Sequence, residues 1–345
     1  GMPAFLLKRI ENIIKQEELE LFVVEYTNFS DEYVVQKNKI KELIKPENFF
    51  TLGEDKYSLM EIIKSNNIDI VHSDEILEGF GQVVPDSLLN DLYDNSRTWK
   101  IVETCHNVWF NPNTSKRFNP DGYAFCTPWH KMSTFSQMPS YSEVMEHPIE
   151  NKVPTLEEKS QAKEILGLDP NKKHIINVGL WTSGKNQKEG VELAKQLEQS
   201  NPEIQFHFIG NQAINFAEYW SPIMSDIPSN VSVWGERHDT DLFMRAADVF
   251  MFNSTWECNP LVLREAISYG LPIIARNLPQ YGDMFTKYLD PIDTDLRTIT
   301  RKYKTSNDKN SRAFALKHER AYKELMKVPI RKQQVSITQH FVNQP

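Results

Sequence analysis

Apolar positions in the first half of the chain alternate between helical spacing and the short runs of strands. Leu6, Ile10, Ile13 and Ile14 recur at helical spacing, so the chain is predicted to begin on a helix. The elements predicted after it are strand LELFVVEY, strand NFFTL, helix YSLMEIIKSNN, strand IDIVHS, a helix after Pro85, strand WKIVETC, strand GYAFCT and a helix from WHKMSTF. This alternation predicts a parallel, doubly wound sheet.

A second series of the same kind follows the polar, proline-bearing segment EHPIENKVPTLEEKS, which is predicted to be a linker. Its elements are helix EEKSQAKEILGL, strand KHIINVG, helix QKEGVELAKQLEQS, strand IQFHFIG, strand VSVWG, helix TDLFMRAA, strand DVFMFN, helix PLVLREAISYG and strand LPIIA. We therefore predict an α/β domain at 1–150, a second at 151–304, and a helix with a tail at 305–345 that packs back across the domains. A chain of 345 residues is long enough for two cores.

Composition and charge narrow the classes of partner. The net charge is −8, from 39 basic and 47 acidic residues without long blocks of one sign, so a nucleic-acid partner is not expected. The longest apolar runs are far shorter than the ~20 residues of a membrane-spanning helix. No secretory signal is recognisable at the start, so a cytoplasmic location is expected. The odd, scattered cysteines Cys105, Cys126 and Cys258 predict buried thiols rather than disulfides or a metal cluster.

The segment ECNPLVLREAISYGLPIIA is the most site-like part of the chain. Two such domains leave a cleft at the carboxyl ends of their strands, where open α/β sheets bind ligands. Asn259 is a favoured N-cap and Pro260 suits the first helical position, while Gly270 and Pro272 are typical of a helix end. The free backbone N–H groups and dipole of this helix would make a phosphate site in the cleft.

Two glutamates with seven residues between them flank the start of this helix. Glu257 leaves the preceding strand, and Glu265 lies one turn beyond Leu261 on the same face. Carboxylates are good acceptors for sugar hydroxyls, so one ligand that carries both a diphosphate and sugars would explain the pair. A capped helix with one exposed glutamate, without any ligand, is the alternative explanation.

Two stretches carry a resemblance to a known family. GLWTSGKNQ and VSVWGERHDTDLFMRAADVFMFNSTWECNPLVLREAISYGLPIIA resemble the nucleotide-sugar half of family-4 glycosyltransferases of the GT-B fold, the glycosyl transferases group 1. The resemblance is strongest from about Val178 to Tyr281. Over the first 150 residues only the order of strands and helices and a few positions correspond. It implies a GT-B architecture of two Rossmann-like domains that face a central cleft.

The resemblance also implies roles for individual residues. Glu257 would hold hydroxyls of the donor sugar, Glu265 would hold the ribose, and Lys185 would neutralise the charge on the leaving diphosphate. His106, directly after a strand, corresponds to a histidine near the transferred sugar, although a histidine bonded to its own loop is an equal alternative. The other donor-binding positions are expected at Gly179, Asn259, Pro260, Leu261 and Val262.

The chain departs from the family at several points. Leu180 stands where an arginine is usual, so we consider Arg237 as a stand-in, against the alternative of a surface arginine. The pairs Asp239 with Asp241 and Asp293 with Asp295 begin predicted helices and are explained by capping, so no metal is expected. Family members begin with a strand and a glycine-rich loop, whereas this chain starts with GMPAFLLKRI. The first strand of the N-terminal domain is therefore expected to be missing.

The function that follows is a glycosyltransferase that moves a sugar from a nucleotide-diphosphate sugar to a glycan or lipid-linked acceptor in polysaccharide biosynthesis. The resemblance implies retention of configuration and no cofactor besides the donor substrate. A lipid-linked acceptor would bring transient contact with a membrane surface, at the inner face of the membrane. A truncated, inactive or weakly active nucleotide-sugar-binding module and a GT-B-fold nucleotide-sugar epimerase are the alternatives. The base, the sugar, the acceptor, the linkage and the oligomeric state stay open.

Overall fold

The structure is a computed structural model that describes residues 2–15, 18–26, 34–80, 84–106, 116–134, 141–147, 150–276, 278, 280, 320–321 and 323–327. In the first half the helices are α1 (Met2–Ile13), α2 (Val34–Leu43), α3 (Ser58–Ser65), α4 (Asp86–Leu92) and α5 (Pro128–Thr134). The strands are β1 (Val23–Glu25), β2 (Phe49–Thr51), β3 (Ile70–Ser73), β4 (Lys100–Cys105), β5 (Gly122–Phe125) and β6 (Tyr141–Val144).

The strands of the first half form two separate parallel sheets in the described residues. β1 pairs with β2, and a four-stranded sheet has the order β3-β4-β5-β6. All six residues of β4 are buried, as in a strand covered on both faces.

The second half contains one complete α/β unit. Its helices are α6 (Leu156–Ile165), α7 (Gln187–Leu197), α8 (Ala217–Met224), α9 (Thr240–Ala246) and α10 (Leu261–Ser268). Its strands are β7 (Lys173–Val178), β8 (Ile204–Ile209), β9 (Val231–Gly235), β10 (Val249–Phe252) and β11 (Ile273–Ala275). They form a parallel sheet of order β11-β10-β7-β8-β9. The chain order reverses between β7 and β10, and such a switch point is where doubly wound sheets bind ligands.

Local chemistry explains several boundaries. Thr155 caps α6 in a reciprocal capping box with Glu158. Gly210 follows β8 with φ +150°, and a Cβ there would lie 2.0 Å from the carbonyl oxygen of Gly179. Only glycine permits this close approach of the loops that follow β7 and β8.

The two halves are joined by direct contacts. The backbone N–H of Lys152 donates to the Ser268 carbonyl at 2.8 Å, which ties the linker to α10. Residues 320–321 and 323–327 are helical, and Ala321 and Leu325 pack in a cluster that contains Phe5 and Leu261. The described C-terminal residues therefore share a hydrophobic cluster with residues of both halves, while the domain bounds remain predictions. None of the helices within the described ranges is long and apolar enough to cross a membrane.

Candidate active site

The centre of the candidate site is an ion pair across the switch point of the second sheet. Lys185 lies in the loop after β7, and its Nζ pairs with the Glu257 carboxylate in the loop after β10. The two loops are fixed to each other because the Thr255 N–H donates to the Gly184 carbonyl at 2.9 Å. Glu257 is buried, whereas 32% of the Lys185 side chain is exposed. Both residues lie in loops that follow strands, and the structure brings them into contact.

Lys185 also lies beside an aromatic ring. Its Nζ is 5.4 Å from the centroid of Phe252, the last residue of β10. A cation at this distance over a ring is attracted by the ring's negative face. The Glu257 carboxylate and this ring together position the Lys185 ammonium group at the carboxyl end of the strands. A ligand can contact the exposed part of the lysine there.

The start of α10 differs by one residue from the sequence prediction. Pro260 is the N-cap, with ψ 93°, and the helix begins at Leu261. Asn259 is not the N-cap, because its Oδ1 accepts a hydrogen bond from Nε of Arg264 at 3.2 Å. Leu261 is buried and Val262 is half-buried. The helix therefore starts close to Glu257 in the sequence, and the free backbone N–H groups of its first turn could bind an anion there.

Glu265 lies one turn into α10 and is half-buried. Burial raises the pKa of its carboxyl group, although the positive charges of Lys152, Lys39 and Lys8 act in the opposite direction. Within the part of the chain that the structure describes, its carboxylate accepts no hydrogen bond. A desolvated carboxylate in this state is ready to accept hydrogen bonds from a ligand.

The first half meets this site at the residue after Glu257. The Cys258 thiol lies 3.3 Å from Nδ1 of His130, which belongs to α5. Burial raises the pKa of Cys258 to about 12, and the nearby carboxylates Glu75 and Glu257 contribute. Burial and the charge of His106 lower the pKa of His130 to about 4. The carboxyl ends of β3, β4 and β5 therefore converge with the loop that carries Glu257.

His106 directly follows β4, as predicted, and is held by residues of other strands. Its Nε2 lies 3.6 Å from an Asp74 oxygen, and its Nδ1 lies 3.4 Å from the Cys126 thiol. Arg9 of α1 also pairs with Asp74. Burial favours the neutral acid, but Arg9, His72 and His106 outweigh it and hold the pKa of Asp74 far below its usual value. The placement of His106 beside the transferred sugar stays a prediction.

Asp74, Arg9 and His130 were not predicted as site residues from the sequence. Asp74 directly follows the strand that ends at Ser73, so a search of every polar residue after a strand would have found it. Arg9 and His130 lie on helices, at positions that only the tertiary structure brings to the cleft.

Arg237 is engaged elsewhere. Its guanidinium donates two hydrogen bonds to Asp239, at 2.8 and 2.6 Å, and lies 5.9 Å from the ring centroid of Trp234. Asp241 pairs with Arg245. These contacts account for Arg237, Asp239 and Asp241 without a ligand, and the second aspartate pair lies outside the described residues.

Gly179 directly follows β7 and belongs to the loop that carries Lys185. Its N–H donates to the Ile209 carbonyl at 2.9 Å. Its carbonyl accepts from Nε2 of Gln187 at 3.4 Å, and the Leu180 carbonyl accepts from the same nitrogen at 3.0 Å. Leu180 therefore contributes a backbone contact here, and its side chain supplies no charge to the site.

Comparison with solved structures identifies the fold. The structure resembles HepE of Anabaena, solved in complex with UDP and glucose, with a TM-score of 0.67 and 13% identity over 95% of this chain and 96% of that chain. It also resembles sucrose-phosphate synthase of Thermosynechococcus elongatus, with a TM-score of 0.60 and 16% identity over 87% of this chain and 81% of that chain. The protein has the GT-B fold.

Comparison of sequences finds a family match within the second half of the chain. Residues 158–290, which contain Lys185, Glu257 and Glu265, match the family Glycosyl transferases group 1. A curated relative from Escherichia coli, UDP-Gal:alpha-D-GlcNAc-diphosphoundecaprenol alpha-1,3-galactosyltransferase, is 30% identical over 163 residues, which are 44% of this chain. That match covers 42% of the relative's length, less than half. The resemblance predicted from the sequence is confirmed over residues 158–290, which are similar to the group 1 glycosyl transferases.

Proposed function

We propose that this protein transfers a sugar from a UDP-sugar to a glycan or lipid-linked acceptor, with retention of configuration and without a metal ion. The observation that carries the proposal is the Lys185–Glu257 pair at the switch point, beside the start of α10 and one turn from the open Glu265 carboxylate. This set combines a cation, helix N–H groups and two carboxylates, which match the diphosphate and hydroxyls of a nucleotide sugar.

The nucleotide and the acceptor are inferred from the relatives. HepE has been solved with UDP-glucose, and the name of the E. coli relative states a UDP-galactose donor and a diphosphoundecaprenol-linked acceptor. A UDP-sugar donor is therefore the first choice for this protein. A lipid-linked acceptor would bring the cleft into transient contact with a membrane surface.

The residues divide the work of transfer as follows. Glu265 accepts hydrogen bonds from the ribose, and Glu257 accepts from hydroxyls of the sugar while it holds Lys185 in place. As the bond to the sugar breaks, negative charge grows on the diphosphate, and Lys185 with the first N–H groups of α10 stabilises it. The departing phosphate then takes the acceptor's proton on the same face, so no separate general base is needed.

A nucleotide-sugar-binding module without transferase activity is the second candidate. The observation in its favour is the separation of β1 and β2 from the sheet that carries His106. Under this alternative the donor binds to the second half, but sugar is not transferred.

Thermal unfolding with added ligands tests the proposal. UDP, GDP, ADP and their sugar conjugates are each added to the protein and to the Glu265→Ala variant. A ligand that binds only the folded state stabilises it by about 2.7 kcal/mol at a hundredfold excess over its dissociation constant. We expect stabilisation by UDP and a UDP-sugar in the wild type, and its loss in the variant.

Glu164→Ala is the matched control, because Glu164 is an exposed glutamate on α6, away from the cleft. It should respond to UDP as the wild type does. Release of UDP from the bound UDP-sugar in the presence of acceptors then separates the enzyme from the binding module. No stabilisation by any nucleotide would overturn the proposal.

A further inference from the structure

A second polar cluster lies at the carboxyl edge of the same sheet. Its centre is Glu189 in the first turn of α7, four positions after Lys185. One Glu189 oxygen accepts from Nη2 of Arg276 at 2.5 Å. The other accepts from Nδ2 of Asn186 at 3.0 Å and from Nδ2 of Asn253 at 3.2 Å. Both carboxylate oxygens of Glu189 therefore accept hydrogen bonds within the protein.

The sheet register places Arg276 at the same edge of the sheet as the Lys185–Glu257 pair. Ala275 pairs with Phe252, so the residues that follow them, Arg276 and Asn253, leave adjacent strands at the same level. Asn253 begins the loop that leads to Glu257. Phe252 also supplies the ring beneath Lys185. Arg276 thus lies at the edge of the sheet that carries the proposed diphosphate site.

The guanidinium of Arg276 has hydrogen-bond donors to spare. Its Nε is buried and has no hydrogen-bond partner among the residues that the structure describes. One third of the side chain, 33%, is exposed. A buried charged donor without an acceptor is unfavourable, so an acceptor from a ligand would relieve it.

A bound diphosphate would bring more negative charge to the site than Lys185 alone can balance. The diphosphate of a nucleotide carries about two to three negative charges, since the second phosphate pKa is near 6. Lys185 supplies one positive charge, already paired with Glu257. Leu180 supplies none, and the Nε and Nη2 atoms of Arg237 both donate to Asp239. Arg276 is a planar donor at the same edge, and its geometry suits a phosphate oxygen.

We propose that Arg276 is a specificity-determining residue that donates hydrogen bonds to the diphosphate of the donor nucleotide, with Glu189 and Asn253 fixing its position. This inference rests on the proposed function. It adds a residue outside the two-glutamate segment and gives the site its second cation. The ligand chemistry is a nucleoside diphosphate, as distinct from a nucleoside alone.

Calorimetric titration with UDP and with uridine tests the inference. Arg276→Gln should raise the dissociation constant for UDP by about 10- to 100-fold, because a hydrogen bond to a charged group is lost. It should leave the affinity for uridine within about twofold of the wild type. Arg276→Lys should recover part of the UDP affinity, because it keeps the charge, and it serves as the second variant if Arg276→Gln fails to fold.

Arg245→Gln is the control, since 41% of the Arg245 side chain is exposed and its ion pair within the described residues is with Asp241 on its own helix. It should bind UDP as the wild type does. Equal UDP affinity in Arg276→Gln and the wild type would overturn the inference and leave the proposed function intact. An equal loss for UDP and uridine would also overturn it, because the contact would then be to the nucleoside. A wild type that binds no nucleotide would overturn the proposed function and this inference with it.

Discussion

Glu257 and Glu265 have the same side chain and lie eight positions apart, but their surroundings differ. Glu257 is buried and paired with Lys185, so its charge is compensated within the protein. Glu265 accepts no hydrogen bond from the described residues, and burial raises its pKa. One glutamate thus positions a cation, and the other is left with its hydrogen-bonding capacity unused.

Replacement of Lys185 tests the charge stabilisation. Lys185→Ala should lower kcat by about 10²- to 10³-fold, as loss of a preorganised charge stabiliser does in other enzymes. The exposed Lys188 provides the matched control, because Lys188→Ala changes the same loop and helix without touching Glu257. Turnover at saturating donor is the measurement. Full turnover in Lys185→Ala would remove this lysine from the mechanism.

Replacement of Glu265 separates function from stability. The folded state binds the Glu265 proton more tightly than the unfolded state, so this group lowers stability as pH rises through its raised pKa. Glu265→Gln cannot ionise, so the variant avoids the loss of folding stability that ionisation of the buried carboxyl group causes. At pH 7 the variant should be at least as stable as the wild type in urea, while its affinity for UDP falls. A variant that is less stable and binds UDP normally would show that Glu265 has only a structural role.

At the scale of elements, a chain of hydrogen bonds crosses three strands of the second sheet. Nε1 of Trp234 can only donate, so Nδ1 of His207 accepts at 3.1 Å, and Nε2 of His207 donates to Nδ1 of His174 at 3.0 Å. Nε2 of His174 then donates to the Asp169 carbonyl at 2.8 Å. Both imidazoles are neutral and fully satisfied, which joins β7, β8 and β9.

Because this hydrogen-bonded chain needs neutral imidazoles, we expect the free energy of unfolding to fall in acid. Burial and the charge of His174 lower the pKa of His207 to about 4, whereas the unfolded imidazole takes up its proton near 6.5. The stability is present above 6.5 and is lost as pH falls toward 4, by roughly 3 kcal/mol. Urea unfolding between pH 4 and 7 measures it. His207→Gln should flatten this pH dependence; an unchanged slope would place its origin in other groups.

At the scale of the whole molecule, α10 connects the donor site to the first half. Arg264 is buried, and it donates to Asn259 Oδ1 and to the His147 carbonyl, each at 3.2 Å. On the same helix Ser268 binds the backbone of Glu150 and Lys152. The start of this helix thus lies at the proposed donor site, and its other side contacts the linker.

Loss of Arg264 should weaken this connection. Arg264→Met removes the hydrogen bonds that the buried guanidinium donates to the Asn259 side chain and the His147 carbonyl, and loss of a buried hydrogen-bond partner costs about 1 to 3 kcal/mol. We expect the urea midpoint of the variant to fall accordingly. Arg245→Met, on the exposed side of α9, should change stability by less than about 0.5 kcal/mol. Equal stability of the two variants would contradict this role of Arg264.

The strand pattern of the second half could be predicted because its apolar runs are short and bounded by polar residues. VSVWG matches β9 from end to end. Among the helices and strands that the structure describes, α2, α8 and β6 were not predicted from the sequence. α8 contains Pro222, which argues against a helix interior, α2 has only Ile40 buried, and β6 is a half-buried strand of four residues.

The candidate site could be predicted only in part. Residues that follow strands, such as Lys185 and Glu257, are recognisable from the sequence alone. Their pairing, the Arg9–Asp74 contact and the Glu189–Arg276 contact depend on which strands and helices become neighbours. The N-cap at Asn259 was wrong because a side chain five positions later competes for its amide oxygen.

A crystal structure of the protein with a UDP-sugar would show whether the cleft beside α10 binds the donor. We expect the ribose hydroxyls to lie within hydrogen-bond distance of Glu265, and the diphosphate to contact the start of α10 and Lys185. The sugar should face Glu257. A nucleotide bound elsewhere, or one that leaves Glu265 and Lys185 without contacts, would contradict the assignment of this cleft as the donor site.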